Sequence, residues 1–191
     1  MCIRDSQYSL HIQRTPNARL EHKEYLHTEN SNPIIPLCKA LQKDIGNGGS
    51  VIVWNKGFEG MCNRSMAESA PAFNDFLLDV NARFFDLMEV FSKRMYVHKD
   101  FKGSSSIKKV LPVLVPELSY KILDIRDGGA ATTTWGKLIF AMENEAEKRE
   151  SIHALLEYCK MDTLAMVKVL QKVMEIPGVL SIEERLQGRK S

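Results

Sequence analysis

The sequence predicts an α/β domain in which a mixed β-sheet is flanked by helices. Polar and apolar residues alternate from Gln7 to Ile12, and after a turn the run 20–27 is again extended in character, which predicts a β-hairpin. A continuous apolar run, 51–54, is bounded by glycines and Asn55, as is typical of a central strand buried on both faces. Helical spacing of apolar residues follows both the hairpin and this run. Strands and helices therefore mix along the chain as in an α/β domain.

Local signals place the helices. A helix is expected after Asn32 and Pro33, an N-cap followed by a proline at the first helical position. A second apolar stripe runs from Phe58 to Pro71. Residues 83–88 are interpreted as a short edge strand or a turn. Prolines and glycines then indicate short helices and loops, until a long helical region extends from near 142 to 175.

The composition is that of one ordinary globular domain, since 191 residues with 44% hydrophobic content can bury one core. A formal net charge of +2 gives no indication of nucleic-acid binding, so such a site must come from local clusters. The four cysteines form no zinc-ligand pattern and fit a reducing compartment. No apolar run reaches the roughly 18 residues that a membrane span needs. We expect a cytoplasmic protein that makes no membrane contact.

Three segments are distinguished along the chain. Residues 1–6 have no periodicity and enter the first strand without a lead-in, so we interpret them as a fragment edge or artefact. Residues 7–176 carry the patterns of the domain. Residues 177–191 are charged, and we expect a loosely held C-terminal tail.

Asp162 lies on the apolar side of the long helix. At about 100° per residue, it projects into the middle of the face formed by Leu155, Cys159, Met166, Val169 and Val173, with Tyr158 beside it. An ionised carboxylate there must be paired, hydrogen-bonded or bound to a metal. The projection leaves two interpretations open. One is a structural contact with a backbone amide, an arginine or solvent; the other is a carboxylate held at a cleft for a divalent cation.

Glu59 is a second candidate, because the segment from Asn55 to Glu59 follows the buried strand at the edge where open α/β sheets bind ligands. Glu59 falls in the first turn of the next helix. Helix-dipole and capping preferences also favour a glutamate there without any function, so this alternative stays open too.

Together, the segment Asn55–Glu59 and the later Tyr158-Cys159-Lys160-Met161-Asp162 resemble the second and third motifs of the DEDDy exonucleases, which have a ribonuclease H-like fold. The runs 7–12, 55–59, 85–88, 106–112 and 158–162 are together similar to an uncharacterised bacterial family known only as a domain of unknown function. This resemblance covers nearly the whole chain after residue 6.

The resemblance implies a metal-dependent nuclease that hydrolyses nucleic-acid phosphodiesters, as a 3′-to-5′ exonuclease does. It implies that Glu59 and Asp162 bind a catalytic metal and that Tyr158 orients the attacking water. Two Mg²⁺ or Mn²⁺ ions are expected in the complete protein. Glu59 departs from the aspartate usual at its position. The first acidic motif, an Asp-x-Glu on the preceding strand, is not found upstream of Tyr8. We therefore expect a sheet that lacks its first, central strand and a chain with little or no activity.

Nucleic acid is the expected partner, with DNA and RNA not distinguished and the oligomeric state unknown. Asn55, Lys108 and Lys109 are the candidate contacts, within a basic run that also contains Lys93, Arg94, Lys99 and Lys102. Such a run is more often only a solvated face. Trp135 is interpreted as structural in preference to base stacking, and Asp86 and the five histidines as structural.

Two other functions compete with the nuclease. One is a non-catalytic ribonuclease H-like module that binds nucleic acid or a protein partner, and the other is a purely structural domain. A nuclease requires the Glu59 and Asp162 carboxylates to lie within about 8 Å of each other, with Tyr158 pointing into the same cleft.

Overall fold

The computed structural model describes residues 6–15 and 18–176. Residues 1–5 of the expected fragment edge, and the whole of the expected tail 177–191, lie outside the described residues. The strands are β1 (Gln7–Ile12), β2 (Glu21–Leu26), β3 (Val51–Val53) and β4 (Phe84–Asp86). The helices are α1 (Ile34–Ile45), α2 (Lys56–Ser69), α3 (Asn74–Ala82), α4 (Glu89–Ser92), α5 (Ile107–Leu114), α6 (Gly128–Phe140) and α7 (Glu145–Met174). Single 3-10 turns occupy Pro71–Phe73, Lys99–Phe101 and Tyr120–Ile122.

The strands form two small sheets. β1 and β2 pair antiparallel, with Gln7 opposite Leu26, and β3 and β4 pair parallel, with Val53 opposite Asp86. The predicted α/β class is confirmed. The expected single mixed sheet is not formed by the described residues, because no described strand pairs with the second edge of β1 or of β3. The sequence predicts that β3 is a central strand, but among the described residues β3 pairs with β4 alone.

The β1–β2 sheet contacts α7, one side of each sheet packs against the large core cluster, and the other side of each sheet lies toward the helices that precede α7 in sequence. On the α7 side, the Gln7 amide donates to the Leu155 carbonyl at 2.9 Å, and Ile52 packs against the large cluster that contains residues of α7. On the other side, Tyr8 packs with α1, and Val53 packs with Val80 of α3. Alternate residues of each strand therefore face different helical layers, as the period of two in a strand requires.

The helices agree with their local signals. α1 begins at Ile34, whose backbone N–H donates to the Asn32 side chain at 3.0 Å. α7 begins at Glu145, after Asn144 caps it through the Ala146 N–H, three residues later than the sequence predicts. The sequence leaves open whether the segment 83–88 is a short edge strand or a turn. The segment contains the strand β4. These features depend on residues that are close in sequence, which explains why the sequence predicts them.

Candidate functional site

The junction of β3, β4 and α2 determines where Glu59 lies. Asn55 caps α2 with φ 78°, a left-handed conformation that asparagine tolerates better than most residues, and its side chain accepts the Phe58 N–H at 3.2 Å. The Asp86 carboxylate accepts the N–H groups of Asn55 and Lys56, both at 2.9 Å, and of Met88 at 3.1 Å. The end of β4 is thereby tied to the start of α2. Asp86 has the structural role expected of it, whereas the capping role of Asn55 was not foreseen.

Glu59 lies in the first turn of α2 and is 6% exposed. Burial raises the pKa of its carboxyl group, and the charge of Asp162 raises it further. A buried acid is costly to ionise unless a cation or hydrogen-bond donors compensate.

Asp162 is half-buried on α7 and accepts a hydrogen bond from the Tyr120 hydroxyl at Oδ1, at 2.7 Å. Tyr120 is 8% exposed, in a single 3-10 turn. Sequence reasoning did not find Tyr120. The contact joins residues 42 positions apart, and the surrounding segment has no periodic pattern that could have indicated it.

Tyr158 precedes Asp162 by one turn of α7 and is 4% exposed. Its ring centroid lies 6.4 Å from that of Tyr120, with the ring planes inclined at 54°. The structure therefore brings Tyr120, Tyr158 and Asp162 together on one side of α7, and the charge of Asp162 reaches Glu59.

Lys108 extends the site toward the basic run. Its ammonium Nζ lies over the Tyr120 ring at 6.0 Å from the centroid, at the outer limit of a cation–π contact. Lys108 and Lys109 are both exposed on α5. Lys93 forms an ion pair with Glu89 at 2.8 Å, so its charge is partly compensated.

Trp135 is half-buried and packs against the large core cluster, and its indole N–H donates to the His27 carbonyl at 2.8 Å. These contacts support the structural interpretation.

Oxygen ligands are the metal-binding groups that the site offers. Among residues 6–15 and 18–176, no group of three or more histidine, cysteine, aspartate or glutamate side chains is placed to hold a metal ion. The acidic pair, Glu59 and Asp162, supplies carboxylates, which suit Mg²⁺ or Mn²⁺. Cys38, Cys62 and Cys159 are buried. In the described part of the chain, no helix has the length and apolar character needed to cross a membrane.

The chain is an α/β protein in which Tyr120, Tyr158 and Asp162 lie together on one side of α7. Residues 5–106, just over half of the chain, match the family described as "Domain of unknown function (DUF2779)", and the chain belongs to that family. It is also 30% identical over 136 residues to "Uncharacterized protein UU173" of Ureaplasma parvum serovar 3, across 63% of this chain and 20% of the relative. The chain thus spans about a fifth of that relative's length. No solved structure matches.

The expected resemblance to an uncharacterised family is confirmed. The matched segment includes Glu59 and ends before Lys108, Tyr120, Tyr158 and Asp162.

Proposed function

We propose that this chain is part of a metal-dependent nuclease domain that hydrolyses nucleic-acid phosphodiesters, with a 3′-to-5′ exonuclease as the expected type. The observation that carries the proposal is the Asp162 carboxylate on α7, which accepts the Tyr120 hydroxyl at 2.7 Å next to the buried Tyr158. Glu59, buried in the first turn of α2, is the proposed second ligand. A purely structural core would place apolar groups at such positions.

In the proposed site, the Glu59 and Asp162 carboxylates would hold a divalent cation, whose positive charge would compensate theirs. Once bound, the cation supplies Lewis-acid stabilisation of the phosphoryl group. Glu59 and Asp162 hold it, the Tyr158 hydroxyl orients the attacking water, and Lys108 and Lys109 bind the phosphate backbone of the substrate.

The proposed fold is ribonuclease H-like. We propose that β1–β2 and β3–β4 are two halves of one mixed sheet, since one side of each packs against the same large core cluster and the other packs against the earlier helices. Glu59 follows β3 at its carboxyl end, the edge at which open α/β sheets bind ligands.

A second candidate is a non-catalytic module that binds nucleic acid. It is favoured by the lack of a third acidic or histidine ligand among the described residues, because two-metal hydrolysis needs more ligands than one acidic pair provides. For this reason we expect the isolated chain to bind one cation and to turn over slowly at best.

The deciding experiment follows the shortening of 5′-labelled single-stranded DNA and RNA in Mn²⁺ or Mg²⁺. The nuclease proposal predicts slow, cation-dependent shortening that Asp162→Asn and Glu59→Gln abolish. Glu150→Gln, which removes an exposed acid from the same helix as Asp162, should leave it unchanged. Binding without any shortening would favour the non-catalytic module, and shortening that survives Asp162→Asn would overturn the proposed site.

A further inference from the structure

We propose that Tyr120 is a positioning residue that joins the two halves of this site: its hydroxyl orients the Asp162 carboxylate, and its ring holds the Lys108 ammonium beside that carboxylate. The first half rests on the proposed function, since it assumes that Asp162 binds a cation. The second half concerns nucleic-acid binding and is measurable without a metal.

The hydroxyl contact is short and sheltered. Tyr120 donates to Asp162 Oδ1 at 2.7 Å, and Tyr120 is 8% exposed. A hydrogen bond to an ionised acceptor in such a place is stronger than one between neutral groups in water. It restricts rotation of the carboxylate about its Cβ–Cγ bond. The direction in which Asp162 presents its oxygens to a cation is therefore set by a residue 42 positions away.

The ring contact brings a positive charge to the acidic site. Lys108 Nζ lies 6.0 Å from the Tyr120 ring centroid while the lysine as a whole remains exposed. An ammonium group over an aromatic face is attracted by the ring quadrupole and is limited in the positions that it samples. Lys108 is thus held where a substrate phosphate that approaches Asp162 would meet a cation. The other exposed lysines of the basic run have no such described contact with the site.

The backbone around Tyr120 is anchored well enough for this role. The Ser119 hydroxyl accepts the Lys121 N–H at 3.2 Å and caps the 3-10 turn. The Tyr120 ring also packs 6.4 Å from the Tyr158 ring, within the large core cluster. A side chain fixed at both its backbone and its ring is able to orient others.

Two substitutions separate the two halves. Tyr120→Phe keeps the ring and removes the hydroxyl, so Mn²⁺ affinity, measured by calorimetry, should fall about tenfold, as expected for a lost hydrogen bond to a charged group. Binding of a labelled single-stranded oligonucleotide in EDTA should not change. Tyr120→Leu removes both contacts and should weaken oligonucleotide binding in EDTA as much as Lys108→Ala does. Tyr96→Phe and Lys43→Ala are the matched controls.

The outcomes that contradict each half are distinct. Unchanged Mn²⁺ affinity in Tyr120→Phe would overturn the positioning of Asp162 and leave the proposed function intact. If the wild type does not bind Mn²⁺, both the positioning of Asp162 and the proposed function are overturned. If Tyr120→Leu does not fold, the side-chain proton shifts of Lys108 decide the second half. Upfield ring-current shifts in the wild-type chain support it, and random-coil shifts overturn it.

Discussion

At the scale of single residues, Glu59 combines a cost to the fold with a proposed benefit to function. Its carboxyl group is buried, and burial together with the Asp162 charge raises its pKa. A group whose pKa is raised in the folded state binds protons more tightly there than in the unfolded chain. Its contribution to stability is therefore present at low pH and is lost as pH rises through the folded pKa. Binding sites commonly carry such a cost.

Replacing this acid should consequently stabilise the fold. We predict that Glu59→Gln raises the free energy of unfolding by about 0.5–1 kcal/mol at pH 7, as is common when a functional group is removed from a strained site. Below the pKa of an unfolded glutamate this gain in stability should disappear, because residue 59 is then neutral in the wild type as well as in Glu59→Gln. Urea denaturation at pH 7 and at low pH measures the difference. A loss of stability at pH 7 would show that Glu59 is a structural residue.

His11 is a half-buried titratable residue of β1 that contacts α7. Its Nδ1 lies 2.8 Å from the Thr163 hydroxyl, and its ring centroid lies 4.6 Å from that of His22. Burial, with the charges of His22 and Lys160, lowers the pKa of His11 from 6.5 to about 4. Glu24, 3.7 Å from His22, is the acidic group on this face.

The free energy of unfolding should therefore depend on pH. Between pH 6.5 and about 4 the unfolded chain binds the proton and the folded chain does not, so this contribution is present above pH 6.5 and is lost as pH falls. We predict a loss of about 2 kcal/mol from His11 across this window, after a discount for its partial exposure. His11→Gln should flatten the profile, and His153→Gln, on the exposed side of α7, should not. A profile identical in both variants would contradict the assignment.

At the scale of elements, the end of β4 controls the start of α2. Asp86 accepts three backbone N–H groups, two of which belong to the residues that begin α2. These contacts fix the first turn of α2, which carries Glu59, to the end of β4. The position of the acidic pair thus depends on a residue that does not belong to it.

We predict that Asp86→Ala lowers the free energy of unfolding by about 2–4 kcal/mol, because three N–H groups lose a charged acceptor. Cation binding at Glu59 and Asp162 should weaken in the same variant. Chemical denaturation and calorimetry measure the two effects. Asp100→Ala, which removes an exposed acid, is the control. Unchanged stability in Asp86→Ala would contradict the anchoring role.

The elements also show what the sequence can predict. α1, α2 and α7 were predicted because capping residues and a period of about 3.6 act within a few positions of each other. The pairing of β3 with β4 joins segments about thirty residues apart, and the Tyr120 contact with Asp162 spans 42. Such contacts depend on the packed fold and leave no local pattern. For the same reason Asp162 was found from its own helix, whereas its hydrogen-bond donor was not.

At the scale of the whole molecule, the proposed site depends on how the two small sheets pack relative to α7. β1 packs on α7 through polar contacts of Gln7, Ser9 and His11, and β3 leads into α2 and Glu59. α7 carries Tyr158 and Asp162 to the same region. The central claim is that Glu59 and Asp162 share a divalent cation there.

The most direct test is a crystal structure of the chain soaked in Mn²⁺, with the metal located by its anomalous signal. We predict one peak between the Glu59 and Asp162 carboxylates, with metal–oxygen distances of about 2.2 Å. Neither Glu59→Gln nor Asp162→Asn should show the peak, whereas Glu150→Gln should retain it. Carboxylates more than about 8 Å apart, or no peak between them in the wild-type chain, would contradict the claim.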